Sequence, residues 1–153
     1  MTIKKILLVF VIILLCGCSN KENPVDNRIY LSSKYYNNGG VYLDIKSDVL
    51  DELENDNYVL YIYNPYCNFE IPCDEIFKVF MKKYKVDFLS MPFNEFKKTK
   101  YYDTVKYGPS VIIIKKGEIV AYLDANSNAD LIKYQKANAF EGWIKKYVFV
   151  ANS

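Results

Sequence analysis

The sequence has no histidine among its 153 residues. That excludes Ser–His and Cys–His nucleophilic chemistry and any histidine metal site. Net charge is nearly absent as well. The formal value is +2, but Lys4 and Lys5 lie in an N-terminal segment with the marks of a cleaved leader. Without them, 18 basic residues meet 18 acidic ones. Such a chain lacks the basic stripe that a nucleic-acid partner calls for, so none is expected. Cysteine is scarce, with only Cys16, Cys18, Cys67 and Cys73. Two thiols in the body of a chain without histidine make a poor metal site, so neither a metal nor a cofactor is expected.

What is present is a globular balance, 51% hydrophobic and 25% charged. The length suits one domain that can bury enough apolar surface to fold without several disulfides. Tyrosine is abundant at 15 residues. No spacing among the tyrosines points to a site, and they read as strand and surface packing.

Residues 1–17 place Lys4 and Lys5 ahead of an uncharged apolar run over residues 6–15. This is the layout of a signal peptide, and the run is too short to cross a bilayer comfortably. It ends in Leu15-Cys16-Gly17-Cys18. The segment resembles the lipobox of bacterial lipoproteins, with Cys16 where that family usually has a small residue. The resemblance implies cleavage before Cys18, lipid on Cys18, and a domain held at the extracytoplasmic face of the cell membrane. An uncleaved signal anchor is the alternative. On the lipoprotein reading, Cys67 and Cys73 are the two cysteines left, in a compartment where disulfides persist. Residues 18–40 are polar, with Pro24 and paired Asn and Gly. They read as a lipidated N-terminus and flexible tether, with residues 29–31 as a minor edge strand.

The domain proper is expected over residues 41–153. Val41, Leu43 and Ile45 alternate with Tyr42 and Asp44, a short strand pattern. Ser47 can cap a helix bearing Val49, Leu50 and Leu53. Residues 58–63 are almost wholly apolar or aromatic, as in a central strand covered on both faces. Pro72 then suits a first helical turn, Asp74 and Glu75 favour its positive end, and Ile76, Phe77, Phe80 and Tyr84 make one apolar face. A strand is expected over 86–93, and Asn94 can cap a helix or irregular helical segment through about Val105. Residues 110–114 and 119–123 form a hairpin with Gly117 in the turn. A last helix follows a capping-box pattern at Ser127 and Asp130. It would bury Leu131 or Ile132, with Phe140, Trp143, Ile144, Tyr147 and Val148.

The order β-α-β-α-β-α-β-β-α predicts an α/β fold, a mixed β-sheet with helices on both faces. Three features make this chain resemble the thioredoxin-like superfamily over most of residues 41–148. Asn64-Pro65-Tyr66-Cys67 ends a buried strand and Pro72-Cys73 opens a helix. Tyr107-Gly108-Pro109-Ser110 precedes a β-branched strand. A terminal hairpin closes the sheet. The resemblance implies a redox-active pair, Cys67 and Cys73, faced by Pro109, which is typically cis in that family. Tyr66, Gly108 and Pro109 would contact the substrate, and a monomer would act on a protein thiol, disulfide or redox partner. Three departures stand out. Five residues separate the cysteines where the family has two, Tyr66 replaces a tryptophan, and Tyr61 stands where many thioredoxins bury a carboxylate.

Disulfide exchange needs a thiolate nucleophile and a second thiol that resolves the mixed disulfide. A helix N-terminus lowers a thiol pKa, whereas Glu70, Asp74 and Glu75 act the other way. Cys67 is the candidate nucleophile and Cys73 the resolving thiol. Two readings stay open. One is a membrane-anchored thiol-disulfide oxidoreductase. The other is a redox-inert thioredoxin-like lipoprotein whose Cys67–Cys73 bond is a structural staple worth about 2 kcal/mol. That second protein would act in binding or as an accessory in bacteriocin export.

Overall fold

The computed structural model describes residues 26–64 and 71–151. Five strands form one sheet: β1 (Tyr42–Asp44), β2 (Asn57–Tyr63), β3 (Phe88–Pro92), β4 (Ser110–Lys115) and β5 (Glu118–Tyr122). Their spatial order is β1-β3-β2-β4-β5. β1, β3 and β2 run parallel. β4 lies antiparallel to β2, and β5 to β4. The sheet is therefore mixed, and β2 lies at its centre. Val59, Leu60 and Ile62 are fully buried because helices cover both faces of β2.

The helices are α1 (Val49–Glu52), α2 (Cys73–Tyr84), α3 (Phe93–Phe96), α4 (Leu131–Gln135) and α5 (Ala137–Ile144). One face of the sheet packs Val59, Tyr61, Phe88, Val111 and Ile113 against Phe77, Phe80, Tyr134 and Phe140 from α2, α4 and α5. The other packs Leu60, Ile62, Leu89, Met91 and Ile112 against Leu50, Phe96, Tyr101 and Val105. The α/β expectation of helices on both faces is met, and the five strands fall in the predicted places along the chain. The hairpin turn is Lys116-Gly117, both with positive φ (48° and 77°), the geometry a two-residue loop needs to match strand twist.

The segment read as a tether belongs in part to the folded unit. Ile29, Leu31 and Tyr35 are buried. Ile29 bridges Val148, and the Ser32 and Asn57 backbones meet at the start of β2: Ser32 N donates to Asn57 O (2.9 Å) and Asn57 N to Ser32 Oγ (3.0 Å). The edge strand expected over residues 29–31 is a single bridge at Ile29, and the burial of Tyr35 has no local period to announce it.

Asp87 fastens this strap to the sheet. It is 1% exposed. Its carboxylate accepts hydrogen bonds from Asn38 N and Nδ2 (both 3.0 Å), Gly40 N and Val41 N (both 2.9 Å). Burial alone would raise its pKa, but the donors from Val41, Asn38 and Gly40 outweigh it and hold the carboxyl below its usual value. A depressed folded-state pKa means the stabilisation is complete above the unfolded pKa of about 4 and is lost as pH falls through the folded value. Asp87→Asn turns one acceptor into a donor facing N–H groups and is expected to cost about 2–3 kcal/mol at pH 7. The gap to wild type should begin to narrow as pH falls below about 4 and close only below the lowered folded-state value, where native Asp87 also loses its charge. Urea titrations at pH 7 and pH 3 check this, and an equal cost at both would refute it.

The helices depart from expectation in several places. The segment from Asn94 to Val105 is irregular rather than one helix: two short pieces, α3 and a 3₁₀ turn (Lys100–Asp103), with Asn94 inside α3 and not at its cap. The single final helix expected is two, broken at Lys136, whose backbone is extended. Ser127 provides no side-chain cap; Asp130 instead accepts from Asp124 N at 2.9 Å. Leu131 and Ile132 face outward (36% and 50% exposed), and Tyr134 takes the buried position. At the first helix, Ser47 does not cap either, because its hydroxyl donates to Glu95 (3.0 Å).

Candidate functional site

Residues converge where β2 ends and α2 begins. Pro72 is the residue before α2, and Cys73 is the first residue of the helix. α2 runs twelve residues on the predicted apolar face, with Ile76, Phe77, Phe80 and Tyr84 buried. Cys73 is 3% exposed. Its sulfur lies 3.5 Å from the Tyr61 hydroxyl, which rises from β2 beneath the helix. Tyr61 in turn packs on Tyr42 of β1 (centroids 5.2 Å apart) and edge-on to Phe77 (5.4 Å).

The register of β2 against β4 brings the Gly108-Pro109 loop to the same end of the sheet. Ile62 pairs with Ser110, so the two residues before Ser110 lie beside the C-terminal end of β2. The Gly108–Pro109 peptide is cis. Tyr134 of α4 donates its hydroxyl to Pro109 O (2.9 Å) and meets Phe77 edge-on (5.9 Å). A continuous set of contacts thus runs Cys73–Tyr61–Phe77–Tyr134–Pro109. Gly108 backs onto Phe93, where a Cβ would come within 3.0 Å of the ring. Tyr107, next to it, is exposed.

Charge around Cys73 is largely paired off. Lys78, one turn along, holds Asp74 (2.9 Å) and Glu75 (2.6 Å). This fits the reading of both carboxylates as helix-start electrostatics. Burial, then the neighbouring Cys73 sulfur, pushes the Tyr61 phenol far above its ordinary pKa. Burial, then Asp74, does the same to Tyr42, whose hydroxyl donates to Asp74 O (3.0 Å). Both phenols therefore keep their protons. A groove of about 370 Å³ opens beside them, lined by Tyr42, Asp44, Tyr61, Tyr63, Asp74 and Ser90. Among the described residues, no group of three or more Cys, Asp or Glu could hold a metal ion.

Of the residues singled out in the sequence, the structure brings Cys73, Gly108 and Pro109 to one pole of the sheet. Tyr66, Cys67 and the lipidation candidate Cys18 lie outside the described residues. Sequence reasoning missed Tyr42 and Tyr134. The only local signal for the first was its place on a short edge strand, and the second was masked by its more apolar neighbours Leu131 and Ile132.

The chain has an α/β thioredoxin-like fold. It is similar to the crystal structure of a thioredoxin from Nicotiana alata, at 18% identity over 71% of this chain and 93% of that one, with a TM-score of 0.51. A mutant thioredoxin from Halobacterium salinarum matches at 16% identity over 74% of this chain and 96% of that one, also with a TM-score of 0.51. No protein-family model matches the chain, and none of the curated proteins is significantly similar to it in sequence.

Proposed function

We propose that this protein is a thiol-disulfide oxidoreductase acting through Cys67 and Cys73, anchored through lipid on Cys18 at the extracytoplasmic face of a bacterial cell membrane. The observation that carries the reading is Cys73 at the first turn of α2, on the same sheet pole as cis Pro109. A helix start presents backbone N–H groups that favour a thiolate. Cys67, six positions upstream, supplies the nucleophile, and Tyr66, Gly108 and Pro109 flank the substrate, a protein disulfide. The Gly108 backbone offers pairing to an extended peptide.

The anchoring proposal has a geometric consequence. The strap meets the domain at the start of β2, through Ser32 and Asn57, while Cys73 lies beyond its far end. Seven strand residues separate the two poles by about 20 Å. A lipid attached upstream of the strap therefore joins the domain at the pole opposite the cysteine. No helix among the described residues is long and apolar enough to cross a membrane.

The test is the reduction potential of the Cys67–Cys73 couple, with turnover of a model protein disulfide in the presence of dithiothreitol. The oxidoreductase reading expects turnover well above the dithiothreitol background and a potential above about −300 mV. No turnover, with a couple below that value, would instead favour the inert staple and an accessory role such as bacteriocin export.

A further inference from the structure

We propose that Tyr61 is a positioning residue whose hydroxyl donates a hydrogen bond to the Cys73 sulfur and stabilises it as the resolving thiolate. This rests on the oxidoreductase reading and assigns a task to a residue that the reading leaves unused.

The geometry is direct. Tyr61 Oη and Cys73 Sγ lie 3.5 Å apart, a contact length suited to the large sulfur atom, and both side chains are buried. With a protonated thiol, either atom can donate. Once Cys73 loses its proton, only the phenol can, since a thiolate has no hydrogen to give. Hydrogen bonding to the charged form favours that form. Tyr61 is also rigidly placed. It sits on the central strand, with Tyr42 on one side and Phe77 on another. Its hydroxyl therefore pays little conformational cost to stay on the sulfur.

Among the described residues, the other charged and titratable groups around Cys73 are engaged elsewhere. From its own helix, Asp74 and Glu75 are negative and are held by Lys78. From β1, the Tyr42 hydroxyl is committed to Asp74 O. Asp44, Tyr63 and Asn64 line the adjoining groove. Tyr61 is the group on β2 that meets the sulfur, and its raised pKa keeps it a donor throughout.

Cys67 has attacked a substrate disulfide and is joined to one substrate sulfur. The Cys73 proton leaves to solvent, and the Cys73 thiolate attacks the Cys67 sulfur. The Cys67–Cys73 bond forms, the Cys67–substrate bond breaks, and the electron pair leaves on the substrate sulfur, which takes up a proton. The substrate is reduced by two electrons and the pair is oxidised; an external dithiol restores it. Tyr61 gives up no proton at any stage. In this it differs from a buried carboxylate, which can take the thiol proton itself.

The test uses the full chain, labelled with ¹³C at cysteine and tyrosine and kept reduced with dithiothreitol. The Cys73 Cβ shift is followed against pH in the wild type and in Tyr61→Phe, which keeps the ring and deletes the hydroxyl. The midpoint is expected to rise by about one unit in Tyr61→Phe, a tenfold loss of thiolate at neutral pH. Release of substrate from a preformed Cys67 mixed disulfide should slow about tenfold. An unchanged Cys73 midpoint in a folded Tyr61→Phe chain overturns the proposal. A measurement on the wild type stands independently of whether the variant folds. The Tyr61 Cζ resonance is expected to move with the Cys73 midpoint, and a Tyr61 signal indifferent to Cys73 ionisation also overturns the proposal. Loss of turnover in the wild type itself would defeat the oxidoreductase reading, while the titrations would still decide the role of Tyr61.

Discussion

Cys73→Ser is expected to abolish turnover, by about 10³-fold or more, and to trap the protein on its substrate. The reason lies in access and order. Cys73 is 3% exposed at the start of α2, behind Pro72 and against Tyr61. A protein disulfide has no route to it, so first attack falls to Cys67. That attack needs no second thiol, but release does, because a mixed disulfide is resolved only by another sulfur nucleophile. Serine at this place is protonated at neutral pH and cannot perform the exchange. The Cys67–substrate adduct should therefore accumulate, visible as a mass increase and as a band on a non-reducing gel that dithiothreitol removes. A structural staple predicts something different. Losing a small-loop disulfide would cost about 2 kcal/mol of stability and produce no adduct. Turnover within tenfold of wild type would rule out the resolving role.

The largest expected effect on stability is at Gly40. It has φ +83°, and a Cβ there would lie 2.2 Å from Met81 O and 2.5 Å from Met81 C. Both are backbone atoms inside α2, so no side-chain rotation relieves the clash. Gly40 N also donates to the Asp87 carboxylate, so any retreat breaks the clamp that holds the strap. Gly40→Ala should thus cost about 3–5 kcal/mol, well above the ordinary range for a substitution. Gly39 is the internal control. It has a similar φ of +75° but nothing within 4 Å of its Cβ position. Gly39→Ala should cost only the left-handed conformational penalty, about 1–2 kcal/mol. Urea unfolding of the two variants separates steric exclusion from backbone preference. Equal costs would mean that the approach to α2 does not matter.

Much of the fold was legible because it is written locally. The run Tyr58-Val59-Leu60-Tyr61-Ile62-Tyr63 is wholly aliphatic or aromatic and uncharged, which suits a strand covered on both sides. Pro72 before Cys73, acids in the first turn and lysines in the last define α2 almost to the residue. Gly117 between two β-branched runs marks the hairpin. Of the site, Cys73, Gly108 and Pro109 could be named because their residue types are rare and their neighbours are distinctive. The strap was not fully legible. Residues 29–31 read as a minor edge strand, but Tyr35 looks like a chance aromatic in a polar segment until Asp87 stands opposite it. Nor was the break at Lys136, where burying Tyr134 against Pro109 and Phe140 against Phe77 prevails over one continuous helix.

The sequence alone determined the order of strands and helices, the absence of histidine chemistry, and the spacing of two cysteines about a helix start. Periodicity, caps and composition act over a few residues, and each of these properties is set at that range. Tertiary structure decided which tyrosine meets which group. Tyr42, Tyr61 and Tyr134 are three of fifteen, alike in composition and different in consequence. One braces Asp74, one faces the Cys73 sulfur and one holds Pro109. Those partners are 12 to 32 residues away, so pairing of strands and packing of α2 and α4 on the sheet had to exist before any of the three could have a role.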